Sequence, residues 1–433
     1  MDIRAKLALL KKEVAKVDKR HEKRKKKRKK IEISLPDFIE EETPLGVAYY
    51  RETPWILSTM HGDIKLSELL EVPQEIFSFM EQDDNLLNMD LKHTLFLDTE
   101  TTGLAGGTGT VAFLIGVGFI RDDSFIIRQY FVPDYAYEPA MLYHLDKFSS
   151  DFSGMVTFNG KSYDIPLIMT RMSMNRLKWR LKDPFHLDLL HGSRRLWKKT
   201  YGSCALTSLE STVLRFYRED DIPGFLIPDM YFQYLRNKDF MPMEKVMQHN
   251  LYDIISMAAL IIRVWSHLEM ANAGQVCGPE FYSLGRIYEK KGEPERALEF
   301  YEKALRERLT HSFNMAVKHR VSLILKRKKD YNRLIPMWEE MAKEAELDIY
   351  AHIELAKYHE HTSKDITRAI QYIENASEIV IRKRTLVTSK TYYKEMEQLN
   401  HRKKRLKGKL EKGNMKTGKS FIISSYPSCL RGE

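Results

Sequence analysis

Cysteine is scarce in this sequence. Cys204, Cys277 and Cys429 are the three in 433 residues, they are scattered, and no two form a C-x-x-C pair. That excludes a disulfide framework and a thiolate zinc site, so any bound metal is expected to be held by oxygen ligands. Long apolar runs are also missing. The N-terminal stretch MDIRAKLALLKKEVAKV has a four-residue apolar run among charges, and no later segment reads as the roughly 18 apolar residues of a spanning helix. A cytoplasmic protein with no membrane role is therefore expected. With 43% hydrophobic and 30% charged residues, the chain can build two or three domains with proper cores.

Acidic residues are lacking at the two ends. Residues 1–30 hold 15 Lys/Arg against 4 Asp/Glu, and residues 401–433 hold 10 against 2, which leaves 45 basic and 54 acidic residues between them. The overall charge of +10 thus combines a body of −9 with basic ends. A block such as Lys19–Lys30 repels itself, and its partner is either nucleic acid or another anionic surface, unless it serves solubility alone.

Five regions follow from the patterning: a basic tail (1–30), a poorly patterned lead-in (31–90), an α/β domain (91–272), helical repeats (273–385) and a basic C-terminal tail (386–433). TLFLD, VAFLIGVGFI and SFIIRQYFV read as three strands joined by short linkers, the arrangement of an antiparallel meander. The Gly103–Gly109 linker lacks the G-K-[ST] ending of a phosphate loop and reads as a hairpin loop. Helix (138–149), strand (154–159), helix (163–174) and further helices to about 268 complete a mixed sheet flanked by helices. Thr207-Ser208-Leu209-Glu210 has capping-box spacing, with Thr207 placed to cap and Glu210 to reach back. From Pro279 the period is purely helical. Leu284, Gly285, Tyr288, Gly292, Ala297, Tyr301 and Ala304 have tetratricopeptide spacing, and Ala369, Tyr372 and Ala376 echo it, so about three stacked repeats are expected, a surface for a protein partner.

Three segments carry candidate chemistry. Phe96-Leu97-Asp98-Thr99-Glu100 ends an apolar strand with two carboxylates at i and i+2, on one face, where they can share a cation. Phe158-Asn159-Gly160-Lys161-Ser162-Tyr163-Asp164 leads from a strand into a helix. His249-Asn250-Leu251-Tyr252-Asp253 lies within a helix, with His249 and Asp253 on one face. Cleavage of a phosphodiester by two hard cations needs several carboxylates converging from different elements, and Asp98, Glu100, Asp164 and Asp253 can supply them. His186 and Asp188 also stand out; Asp188 is read as a cap or as a partner of Arg194 or Arg195, and Lys161 as an exposed turn lysine. The Met169–Met174 stretch is read as core or groove lining.

Asp98-x-Glu100, Asn159-x4-Asp164-x2-Leu167 and the late Asp253 resemble the three motifs of the four-carboxylate 3′→5′ exonuclease superfamily, whose fold is that of ribonuclease H. More closely, HLDLLHGSRRLWK (186–198), DIPG (221–224) and HNLYDIISMAAL (249–260) resemble the YprB-like ribonuclease-H-like family, over residues 45–270, in which a helical repeat domain commonly follows. The resemblance implies nucleic acid as substrate and two Mg²⁺ or Mn²⁺ ions. Asp98 would bridge both, Glu100 and Asp253 would help hold the ion that activates water, and Asp164 would act at the other. The superfamily has a His five residues before the last Asp or a Tyr four before it, whereas this sequence has His249 at the Tyr spacing. His249 is thus either the general base or a packed helix histidine. The alternative to the enzyme is an inactive nuclease-like scaffold that binds nucleic acid and recruits a protein through its repeats.

Overall fold

The computed structural model describes residues 35–103, 107–181, 184–344 and 346–417. The basic 1–30 block, Leu104–Gly106 of the glycine-rich linker and residues 418–433 of the basic C-terminal region lie outside the described residues. The chain divides into two units, Met1–Ala273 and Gly274–Glu433.

The first unit is organised by a seven-stranded mixed sheet. Its strands are β1 (Ile39–Thr43), β2 (Gly46–Ile56), β3 (Thr94–Thr101), β4 (Ala112–Arg121), β5 (Ser124–Phe131), β6 (Gly154–Thr157) and β7 (Phe185–Asp188), in the order β1-β2-β5-β4-β3-β6-β7. The expected meander is β3-β4-β5, antiparallel throughout, and β6 and β7 then add parallel to β3. The sheet extends further than the sequence pattern indicates. β1 and β2 come from the region read as a lead-in, and β2 pairs antiparallel with β5 from Tyr49↔Phe131 to Ile56↔Ser124. β2 reads poorly as a strand because its Arg51-Glu52-Thr53-Pro54 centre is polar. Glu52 is nevertheless held by Arg128 of β5 at 2.6 Å and by Arg121 at 2.8 Å, so its charge is matched across the sheet.

Helices α1 (Glu75–Glu81), α2 (Glu138–Ser149), α3 (Asp164–Met174), α4 (Leu189–Tyr201), α5 (Ile227–Asn237) and α6 (Met241–Asn272) flank the sheet. The middle of β4 is buried along its whole apolar run because helices cover both faces. Contrary to the sequence reading, α6 is long and apolar enough, by length and composition, to cross a membrane. Most of that apolar window is buried inside the fold, Ile254, Ile255 and Met257 to Ile262 included. Its apolarity is spent on the sheet and neighbouring helices, which is what a central core helix requires.

Two glycines of β4 let α6 come close. A Cβ on Gly116 would lie 2.2 Å from Asn250 Oδ1, and one on Gly118 2.5 Å from Ile254 Cγ2. Any larger residue would force α6 off the sheet. The capping box expected at 207–210 does not form. The helical turn Leu206–Leu209 starts two residues earlier, with Ala205 at its N-cap, and Glu210 is buried on Arg218 instead of reaching back. A carboxylate excluded from water gains more from a guanidinium than from one backbone N–H.

The second unit is all-helical: α7 (Gly278–Lys291), α8 (Pro294–Arg306), α9 (His311–Lys328), α10 (Tyr331–Glu344), α11 (Tyr350–His361), α12 (Ile366–Arg382) and α13 (Ser389–Thr417). Tetratricopeptide packing is visible in α7 and α8, where a Cβ on Gly285 would lie 2.4 Å from the Tyr301 ring, and Ala297, Tyr301 and Ala304 are fully buried. Ala369 and Ala376 are buried in the same manner in α12. Much of the segment read as a basic tail is helix α13, whose Leu399 and Leu406 join the core of α11 and α12. Arg405 and Lys409 of α13 each reach the buried Glu360 at 2.6 Å, so part of the basicity neutralises an interior carboxylate.

Candidate nuclease active site

The candidate residues meet at the carboxyl end of β3, where the antiparallel meander gives way to parallel strands. Asp98 and Glu100 point to the face covered by α6, and Thr99 points the other way. Three residues that face one another across the sheet, Asp98 on β3, Gly116 on β4 and Gln129 on β5, explain how Asp98 is set. Asn250 of α6 lies over the gap at Gly116. Its Nδ2 donates to Asp98 Oδ2 at 2.8 Å, and its Oδ1 accepts from Gln129 Nε2 at 2.9 Å. Gln129 also donates to the carbonyl of Met247 at 2.7 Å. This buried chain locks the register of α6 against the sheet, and that register places His249 and Asp253 beside Glu100.

Asp164 arrives from the other direction, at the N-terminus of α3. Thr99 Oγ1 donates to its Oδ1, tying it to β3. The turn before it is held by Asp188, which accepts from the backbone N–H groups of Asn159 at 2.8 Å and Lys161 at 3.1 Å and caps α4 at Leu190. Asn159 has a φ of +68°, a conformation that asparagine tolerates better than most residues. Asp188 therefore caps, as expected, and also shapes the loop that delivers Asp164. His186 accepts or donates to Thr157 at 2.9 Å, beneath that loop. Lys161 pairs with Glu81 on α1. Met172 is buried, whereas Met169 is exposed and lines a groove of about 510 Å³ with Met155, Ile165 and Trp179.

On the α6 side, His249 Nε2 lies 3.9 Å from Glu100 Oε1 and 3.5 Å from Asp253 Oδ2, while Nδ1 lies 2.8 Å from Asp221 Oδ1. Glu100, His249 and Asp253 each present a donor atom within 4.8 Å of the others, a spacing at which they could hold one metal ion. Nδ1 also lies 3.3 Å from Arg218 Nη1, and a proton on Nδ1 donated to Asp221 is the arrangement that would leave the Nε2 lone pair facing the carboxylates. Arg218 completes the arrangement. Its Nη2 donates to Asp253 Oδ1 and to Glu210 Oε1 at 2.6 Å, its Nε donates to Glu210 Oε2 at 2.8 Å, and its Nη1 lies 3.3 Å from Asp221 Oδ2.

The electrostatics are those of crowded anions. Burial, then the charges of Asp253 and Asp164, hold Asp98 well above the usual carboxylate range. Burial, then Asp98, Asp253 and Asp164, do the same to Glu100. Asp164 is pushed up to about 6 by burial, against the hydrogen bond from Thr99. Such a cluster fits a divalent cation by its chemistry: hard oxygen donors whose mutual repulsion a positive ion relieves. Asp98, Asp164 and Asp253 each have one oxygen occupied by a side-chain donor, Asn250, Thr99 and Arg218 respectively. Sequence reasoning named all four carboxylates and His249, gave no role to Asn250, Gln129, Asp221 or Arg218, and read Glu210 as a capping residue rather than as the partner of Arg218. Asn250 stood three positions before Asp253 on the same helix face, and Asp221 opened the DIPG segment. Nothing in the sequence marked Arg218.

These features are those of a nuclease-like domain of the ribonuclease H superfamily: residues 95–265 match the RNase_H superfamily model, and residues 281–312 match the tetratricopeptide repeat model. The chain is 30% identical over 402 residues to the protein titled "Uncharacterized protein YprB" of Bacillus subtilis (strain 168), an overlap of 87% of this chain and 93% of the relative. It belongs to the YprB family, with a ribonuclease-H-like domain followed by helical repeats.

Proposed function

We propose that the protein is a metal-dependent 3′→5′ exonuclease that hydrolyses phosphodiester bonds of nucleic acid. The observation that carries this reading is the gathering of Asp98, Glu100, Asp164 and Asp253 at one strand end, where their charges crowd one another. Glu100, Asp253 and Asp98 would hold one Mg²⁺ or Mn²⁺ ion, and Asp98 with Asp164 a second. Bound there, two ions would supply Lewis acidity to the attacking water and the leaving oxygen. His249 would take the proton of the water at Nε2, because Asp221 fixes its Nδ1–H and stabilises the imidazolium formed. Asn250 and Thr99 would orient the carboxylates, and the helical repeats would serve a protein partner.

One observation favours a second reading. Arg218 already pairs with Asp253, as it would in an inactive nuclease-like scaffold with no need of an ion. Incubating the protein with 5′-labelled single-stranded and duplex DNA and RNA, in Mg²⁺, Mn²⁺ or chelator, separates the two. The enzyme produces a metal-dependent ladder shortening from the 3′ end, and Asp98→Ala lowers turnover at least a hundredfold, about 2.7 kcal/mol in activation free energy. Equal cleavage by wild type and a well-folded Asp98→Ala variant removes the proposal.

A further inference from the structure

Arg218 is an unexpected neighbour for a cation site. Its side chain is 5% exposed, and it lies against Glu210 (2%), Asp253 (13%) and Asp221 (21%). The Tyr252 ring lies 5.7 Å from the guanidinium carbon. Behind Glu210, Ser256 donates to the same carboxylate and contacts His61 at 2.8 Å, and His61 packs on Phe216 with ring centres 3.9 Å apart. The loop carrying Arg218 is thus clamped to α6, and the guanidinium has little freedom to leave. Six acidic side chains converge around this point: Asp98, Glu100, Asp164, Glu210, Asp221 and Asp253. Without a compensating positive charge, that many anions at the end of a packed sheet would force protonation or open the site.

We infer that Arg218 is a built-in counter-cation: it holds the carboxylate cluster assembled when no ion is bound and, by occupying one oxygen of Asp253, weakens the site for divalent ions. The inference rests on the metal-dependent reading above. Its consequence is a threshold, since the site fills only at free ion concentrations high enough to bind beside a fixed positive charge. Arg218 is a positioning residue, acting on the ion through Asp253.

The test is ion binding by calorimetry, with Mg²⁺ and Mn²⁺, on the full chain. Arg218→Met alone would strand the buried Glu210 charge, so the informative variant pairs it with Glu210→Gln, which keeps an acceptor for Ser256. This neutral pair should bind ions at least tenfold more tightly than wild type and melt at a lower temperature than wild type in chelator. If it does not fold in chelator, Mg²⁺ must restore folding. Arg218→Lys, which keeps the charge, should bind within threefold of wild type. A neutral pair that binds no tighter than wild type, or that stays unfolded with ions present, overturns the role of Arg218 and leaves the nuclease reading standing. A wild-type protein that binds no divalent ion overturns both.

Discussion

Asp164→Asn is expected to stabilise the ion-free protein while damaging its activity, and the size of the effect follows from the site. The Asp164 carboxyl is pushed from 3.8 to about 6, by burial first, with the Asp188 charge adding to it and Thr99 opposing it. A folded-state value above the unfolded one means that the folded protein holds the proton more tightly between those limits. Stability therefore falls as pH rises from about 4 to about 6, and the loss is complete above the folded value. Two units correspond to about 3 kcal/mol. Asparagine stays neutral at every pH and keeps an acceptor for Thr99, so it avoids the loss. In chelator at pH 7.5 the variant should be more stable by about 3 kcal/mol, a rise in Tm of about 6–12 °C for a domain of this size. At pH 4 the two proteins should melt together, because Asp164 is then protonated. Scanning calorimetry at both pH values measures this directly. Mg²⁺ should reverse the order at pH 7.5, because the ion stabilises the wild-type carboxylate. A variant that melts below wild type at pH 7.5, or one offset equally at both pH values, would refute the claim that Asp164 is held against its own charge.

His249→Phe distinguishes two uses of the same nitrogen: a large fall in kcat with ion affinity preserved identifies a general base, and a parallel fall in ion affinity identifies a ligand. Loss of thermal stability alone would assign His249 to packing. Deleting residues 1–30 should reduce the log–log salt slope of nucleic-acid binding by about 3, if the Lys19–Lys30 block neutralises about four phosphates of a single strand at roughly 0.7 each. Turnover at saturating substrate should change much less, and an unchanged salt slope would leave the block without a nucleic-acid role.

Some of this protein was legible because local chemistry repeats in the chain. The 2.0-residue alternation of β3 put Asp98 and Glu100 on one face, the helical period put His249 beside Asp253, and Gly285 with Tyr301 marked a close helix pair. These patterns depend on neighbours a few residues apart. β2 hid its strand character because Arg51 and Glu52 are satisfied by residues far along the chain, Glu244 and Arg128 among them. Glu210 looked like a helix cap and became a buried partner of Arg218, since a fixed charge nearby outweighs a local backbone bond. The row from Gln129 through Asn250 to Asp98 exists only after α6 lies across Gly116. The sequence by itself determined which carboxylates share a strand face or a helix face and in which order they come. The tertiary structure alone decided that Arg218 and Asp221 stand among them, because long-range electrostatic pairing is set by where burial brings charges together, and no spacing along the chain records it.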